Sequence, residues 1–441
     1  MPSDPIPEPN SDAPAISGWS RLSGHALVYI GSTALSALAP FLILPFLTRW
    51  LGPAEFGIVA SFLALTNLTL LFVGFSTHGL INVVFYRDGA AAMPPQVGAT
   101  FGILALTSVP VIVLLYVLAR PIEHLIGVSP AWLWTVWLAA CGQFAMLIGL
   151  AVWQTLRQPF RFAAGQLGFS VLTAGGSVIL IGFAGMGWEG RALGQAAGAG
   201  LMMLATIVAL SATRKVDWNA RHWPMRAALK FGLGLLPHSV GAVAMTSIDR
   251  FALSATVDTV ATGHYFAALQ IASITVASAA AFNTAWSPWL YERLARGDDA
   301  SKRQVVWATY AVGALLLAGA AAIAVMAPWI MRTVAGPGFD EGAMLLRYLA
   351  PAAAFSGMYY LVNGYAFYTG RTGTLSTITI ATAIVQVALT LVLAHVDGAR
   401  GVALATLVSA IVCWAATGIV AHRIVPMPWL LGRTLPAGDM R

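Results

Sequence analysis

The sequence predicts an all-α polytopic membrane protein, with about twelve transmembrane helices in two pseudo-symmetric six-helix lobes around a central cavity. Three observations predict it. Apolar residues make up 58% of the 441 positions and charged residues only 9%, against about 25% charged in a soluble domain. The apolar residues gather in runs long enough to cross a bilayer, which takes about 20 residues as a helix. Landmarks in the first half of the chain return in the second at a nearly constant spacing. Because lipid offers no partner for backbone N–H and C=O groups, such runs must be helices.

Residues 1–23 form the N-terminal tail. Its first part is rich in proline and carries Asp4, Glu8 and Asp12. That composition reads as a flexible cytosolic segment, with neither the basic start nor the cleavage site of a signal peptide. Twelve spans follow at 24–47, 57–85, 97–119, 131–153, 165–185, 192–212, 229–248, 263–287, 305–327, 343–367, 374–395 and 401–421. Gln143 and Arg347 interrupt the fourth and the tenth. The organisation expected is a six-helix lobe over 24–212, a basic linker over 213–228, a second lobe over 229–421 and a cytosolic tail over 422–441.

Lysine and arginine set the orientation. With the N-terminus in the cytoplasm, 17 of the 24 basic residues fall on the cytoplasmic side and 7 on the outer side. The two most basic stretches, Arg214 to Lys230 and Arg293 to Arg303, both lie inside. The excess of positive charge in cytoplasmic loops predicts both termini in the cytoplasm. The net charge of +7 suits a face resting on anionic lipid.

Several function classes are excluded. Cys141 and Cys413 lie in apolar runs, too few and too isolated for a disulfide framework or a metal site. None of the three lysines, Lys215, Lys230 and Lys302, follows a glycine, so the chain carries no phosphate-binding loop of the Gly-x-x-x-x-Gly-Lys type. No basic run is long or interleaved with aromatics, which speaks against nucleic acid. The outer loops are short, and their acids show no paired spacing for catalysis. The reading is a transporter without cofactor, not an enzyme.

The repeat is carried by arginines. Arg49 and Arg250, Arg161 and Arg371, and Arg191 and Arg400 stand 201, 210 and 209 residues apart. Gly57 opens the second span and Gly263 the eighth. Two six-helix halves in parallel orientation follow, related by an axis along the membrane normal, with a substrate path between them.

Polar stripes point to the helices that line the path. The first span presents His25, Tyr29, Ser32, Ser36 and Pro40, and the second Asn67, Gly74, His78 and Asn82. The seventh presents Lys230, Gly234, His238, Gly241, Met245 and Asp249, and the eighth Gln270, Ser273, Ala277, Ala280, Thr284 and Ser287. These are the first two helices of each half. Small residues at such spacing are ordinarily packing. His78, Asn82 and His238 are left between two readings, a hydrated cavity or interhelical hydrogen bonding.

No Asp or Glu falls in the middle of a span, and Asp249 sits at the outer end of the seventh. A cation-coupled antiporter would want a buried carboxylate. Twenty-one arginines against three lysines fit phosphate better, because a guanidinium binds it in a two-pronged contact. Any single arginine is more simply a headgroup anchor. Arg49 and Arg250 stand out because they hold matching places in the two halves. Asp249 is expected to pair with Arg250 or Arg49, and His25, His78 or His238 to take part in any proton coupling.

The run Leu47-Thr48-Arg49-Trp50-Leu51-Gly52-Pro53-Ala54-Glu55-Phe56-Gly57 resembles the opening signature of Wzx-type flippases of lipid-linked oligosaccharides. These belong to the multidrug/oligosaccharidyl-lipid/polysaccharide exporter superfamily. Ser247-Ile248-Asp249-Arg250-Phe251-Ala252-Leu253 with Gly263-His264-Tyr265 resembles the start of that family's second half. Pro288-Trp289-Leu290-Tyr291-Glu292 resembles the end of its eighth helix, and 364–375 and 398–405 its late part. The resemblance implies two lobes in a V, alternating access and a cationic cavity. It implies an undecaprenyl-diphosphate-linked sugar unit as substrate, moved across a bacterial inner membrane for O-antigen, exopolysaccharide or capsule synthesis. A polysaccharide polymerase and a chain-length regulator are the partners it suggests. Arg49, Asp249 and Arg250 are the positions that carry over.

Overall fold

The computed structural model describes residues 19–429, with side chains from 28 onward except at position 372. Every regular element in that range is helical. α1 (Trp19–Phe72) holds the first span and most of the second on either side of a bend at Gly52, where φ is +68°. Glycine takes that left-handed conformation without a Cβ clash. α2 (Leu80–Asp88), α3 (Met93–Val117), the short α4 (Ala119–Ile126), α5 (Leu133–Thr155), α6 (Pro159–Gly182) and α7 (Trp188–Ala212) complete the first lobe. α8 (Met225–Thr256), α9 (Thr259–Arg296), α10 (Asp299–Val325), the short α11 (Ala327–Ile330), α12 (Gly342–Tyr368) and α13 (Thr372–Ile424) form the second. α13 bends at Asp397-Gly398 and so holds two spans.

Nine helical stretches among the described residues are long and apolar enough to cross a membrane. α1 and α13 each count once in that number but hold two spans. α12 falls below the apolarity, since it carries Arg347, Asn363 and five tyrosines. It nevertheless packs along α13, α9 and α10, and twelve spans result. The parallel repeat also shows in the irregular parts. α4 and α11 begin 208 residues apart, each as a short helix between the third and fourth spans of its lobe.

Three expectations need correction. The second span, expected unbroken over 57–85, is interrupted between α1 and α2, with Phe75 and Ser76 in the left-handed region at φ 48° and 55°. α9 runs through the equivalent region without a break. The first helix begins at Trp19, inside the expected tail, and α8 begins at Met225, inside the expected linker. The side chain of His25 and the residues beyond 429 lie outside the described part.

The two ends of the molecule differ. At the end carrying Gly57 and Gly263, one apolar cluster is shared between the lobes, with Leu44, Phe56, Val59 and Phe62 against Leu253, Phe266, Met331 and Phe339. At the opposite end, which carries the basic segments 213–230 and 293–303, each lobe has its own cluster. A smaller cluster there joins Leu80, Val84 and Ile103 to Ala228 at the start of α8. α1 and α9 are mostly buried towards the closed end, where α8 buries Ser247, Asp249, Ala252 and Leu253, and all three are mostly exposed or half-buried towards the basic end.

The closed end rests on two glycines. A Cβ at Gly57 would overlap the Thr259 carbonyl oxygen, and one at Gly263 would overlap that of Pro53. The helix backbones therefore touch across the lobe boundary, as small residues allow in membranes. Nearby, the Ser61 and Ser254 hydroxyls are 2.9 Å apart. In a background with Cys141 and Cys413 replaced by alanine, a Ser61→Cys, Ser254→Cys pair should cross-link rapidly with a short bifunctional thiol reagent. Adding Gly57→Val should slow that reaction severalfold. Equal rates in both backgrounds would show that the glycine contact does not hold the end shut.

Candidate translocation path

A cavity of about 440 Å³ lies between the lobes in the basic-end half of the molecule. α1 supplies Tyr29, Thr33 and Ala37 to one wall, and α9 supplies Ala277, Ala280 and Thr284 to the other. Gln154 and Phe162 close it from the side of the first lobe, with the Tyr29 and Phe162 rings edge to face at 4.9 Å. Of the stripe read on the first span only Tyr29 lines this cavity, whereas the stripe of the eighth contributes Ala277, Ala280 and Thr284. Its lining is chiefly apolar and holds no arginine. On the far side α8 joins the lobes, with the Ser76 and Ser239 hydroxyls 3.4 Å apart.

The arginines lie elsewhere. Arg49 is exposed at the closed end, where its guanidinium donates to the Thr333 carbonyl at 2.7 Å, across the lobe boundary. Arg250 is half-buried, with its guanidinium 4.7 Å above the Phe266 ring. Such a cation over an aromatic face is electrostatically favourable. The Phe266 ring packs tilted against Phe56 at 5.4 Å, and Phe56 edge to face with Phe339 at 5.9 Å. Both arginines therefore belong to the seam that holds the lobes together.

Asp249 is buried, with 4% of its surface exposed. Its carboxylate accepts the Arg250 backbone N–H at 2.9 Å and lies against the phenol of Tyr265. The Tyr265 hydroxyl is also 3.0 Å from that of Thr406. The expected ion pair to Arg49 or Arg250 is not formed among the described residues, because the Arg250 side chain turns to Phe266 instead. Asp249 is thus a buried acid outside the cavity lining, covered by the packing of α9 and α13.

The remaining residues are scattered. His78 sits in the break between α1 and α2, half-buried and edge-on to Phe144 at 5.5 Å. Its Nδ1 is buried without a hydrogen-bond partner. Asn82 accepts a hydrogen bond from Thr155 of α5, an interhelical bond inside the first lobe. His238 and Lys230 are exposed on α8, Lys230 beside Arg226 at the basic end.

The sequence profile of one protein family, described as polysaccharide biosynthesis protein, matches residues 24–293, more than half the chain. The chain belongs to that family. A Haemophilus influenzae protein of the Lsg locus is 21% identical over 372 residues, 82% of this chain and 89% of its own. The fold is shared with the lipid II flippase MurJ in an inward closed conformation, at a TM-score of 0.72 and 14% identity over 89% of this chain and 87% of that one. It is shared too with the Vibrio cholerae MATE transporter VcmN, at 0.60 and 16% over 92% and 97%. An inward-facing multidrug resistance MATE transporter of the MOP superfamily gives 0.62 and 17% over 89% and 98%.

Two residues of this family member escaped sequence reading. His264 is buried in the seam, its Nε2 2.9 Å from the Gly338 carbonyl oxygen and its Nδ1 3.1 Å from Glu341. The adjacent family landmark Gly263 was the signal that could have found it. Arg191 served only as a repeat marker. It is 8% exposed and braces α6 to α7 through Ser177 Oγ at 2.8 Å and the Thr173 carbonyl at 3.2 Å. Its repeat partner Arg400 is exposed, 3.6 Å from Asp397.

Asn82→Ala should lower stability by about 1 kcal/mol, the net worth of one hydrogen bond, and leave transport unchanged. A thermal melt with a transport assay checks this, and lost transport at unchanged stability would return Asn82 to the path.

Proposed function

We propose that this protein is a flippase that moves undecaprenyl-diphosphate-linked oligosaccharide units across the bacterial inner membrane, for O-antigen, exopolysaccharide or capsule synthesis. The observation that carries the reading is the inter-lobe cavity between α1 and α9, apolar in lining and set in the half that bears the basic segments. An amphipathic cargo can use that arrangement, its isoprenoid tail staying with lipid while its headgroup enters between the lobes towards Thr33, Gln154 and Thr284. The match to the polysaccharide biosynthesis family supports the cargo class, and MurJ, named a lipid II flippase, supports the mode of action. By the distribution of basic residues the cavity faces the cytoplasm, with both termini on that side.

Alternating access then has a definite barrier. To open outward, the lobes must break the Gly57–Gly263 packing, the aromatic contacts of Phe56 and the Arg49–Thr333 hydrogen bond. Breaking that bond releases the Arg49 guanidinium, and parting of the aromatic rings releases Arg250. Both cations then face the opening, where a diphosphate can take them in two-pronged contact. In this mechanism the arginines serve as latches when the outer end is shut and as ligands when it opens.

A drug or organic-cation antiporter is the rival, and buried Asp249 is the observation that favours it. Its carboxylate is committed to a backbone N–H and the Tyr265 phenol, away from the cavity. Deletion of the gene separates the readings. The flippase predicts accumulation of undecaprenyl-diphosphate oligosaccharide on the cytoplasmic leaflet. Altered drug susceptibility without accumulation would instead support the antiporter, and exported but unpolymerised units a polymerase.

Arg49→Ala and Arg250→Ala should each reduce export at least tenfold, about 1.4 kcal/mol, with the protein still folded and inserted. Lysine replacements separate the need for charge from the need for two-pronged geometry. Full export from both alanine variants would remove these residues from the mechanism. Collapse of the proton gradient should slow export if His78 or His238 couples transport to protons, and an undisturbed rate would remove that role.

A further inference from the structure

A second and larger cavity, about 780 Å³, lies away from the inter-lobe path, within the second lobe between α10, α12 and α13. We propose that it binds an anionic glycerophospholipid of the leaflet at the basic end. An acyl chain would lie in the groove and the phosphate on Arg423 and His422. This goes beyond the transported cargo and rests only on the groove and its mouth.

The groove has the dimensions of one leaflet. Trp414 lines its deep end and Arg423 its mouth, nine residues apart on one helix, or about 14 Å at 1.5 Å per residue. The hydrocarbon core of a bilayer is about 30 Å thick, so one leaflet contributes about half of that. Buried Met358, Leu361 and Val362 form the floor, and the rim residues Leu317 and Ile419 are exposed, so the groove opens sideways to lipid. Gly418 leaves the space clear, since a Cβ there would meet nothing within 4 Å.

The mouth carries the opposite character. Arg423 and His422 are exposed, and no carboxylate lies within ion-pair distance of either among the described residues. The Met427 backbone N–H lies 3.5 Å from His422 Nδ1, so Nε2 is the ring nitrogen left to meet a ligand. Trp429 stands over the mouth, its carbonyl accepting from the Tyr310 hydroxyl at 2.7 Å. Tryptophan and tyrosine are favoured at headgroup depth, and a basic cluster there selects anionic lipid.

The first lobe shows what becomes of such a groove when the chain fills it. The segment after α7 folds back, placing Trp218 against Phe101 at 5.6 Å and its indole N–H 3.1 Å from Ser211 Oγ. The Trp223 ring lies directly over Gly98 and Gly102 of α3. In the second lobe residues 425–429 seat Val425, Met427 and Trp429 against the lobe, and among the described residues the volume behind Trp429 is open.

The test is native mass spectrometry of the delipidated full-length protein, titrated with phosphatidylglycerol or with phosphatidylcholine of the same chains. Phosphatidylglycerol should be retained about fivefold better, the worth of one cation beside an anionic surface. Arg423→Gln with His422→Gln should abolish the preference. Gly418→Phe, which plugs the groove and keeps the charges, should abolish retention of the lipid, with monodispersity and melting checked in parallel. Removal of residues 430–441 should change neither. Equal retention of the two lipids overturns the proposal, as does a Gly418→Phe protein that binds normally. Increased retention after truncation would make the tail the occupant, and displacement by equimolar undecaprenyl phosphate would give the groove to the cargo lipid.

Discussion

The packing of Gly57 against the backbone of α9, and of Gly263 against the backbone of α1, governs how the two lobes stand to each other. Neither glycine has room for a single added carbon. Water drives apolar side chains together in soluble proteins, but lipid tails are as apolar as leucine and supply no such drive between helices. Close backbone approach supplies van der Waals contact in its place. Around it the Phe56, Phe266 and Phe339 rings interlock, and Arg49 reaches across to Thr333. With that end joined, the open space between α1 and α9 is confined to the other. The direction in which cargo can enter thus follows from where two glycines lie.

The two lobes share a plan without sharing its details. α4 and α11 occupy matching places, yet the second span is broken over 73–79 while α9 is continuous. Arg191 and Arg400 stand 209 residues apart, one buried against Ser177 and Thr173, the other exposed beside Asp397. The first lobe sets Trp218 and Trp223 on α3, while among the described residues the second keeps an open groove. A duplicated architecture can diverge in this way because the helix scaffold depends on length and apolarity, which many sequences satisfy.

Much of the fold was legible. Apolar run length located the spans, though α8 and α9 run eight and nine residues past the expected ends, and the basic residues separated one end from the other. Arginine spacing exposed the duplication. From the stripes of the first and eighth spans, Tyr29, Ala277, Ala280 and Thr284 face one cavity, while Ser32, Ser36 and Pro40 do not line it. The fates of individual polar residues were much less legible. Asn82 turned to Thr155, Asp249 became buried without an ion pair, and His264 was passed over. A stripe states which face of a helix is polar, but not whether that face meets water or another helix.

By itself the sequence determined the class of protein, because a chain with 9% charged residues and long apolar runs has no stable arrangement except helices in a bilayer. It also determined the duplication, since matched landmarks need no coordinates to be seen. Only the tertiary structure decided which end is closed, that Arg49 and Arg250 lie in the seam, and that a second groove opens beside a cationic mouth. Those facts depend on contacts between helices hundreds of residues apart in the chain, such as Arg49 with Thr333. Helical periodicity carries no information about such pairs.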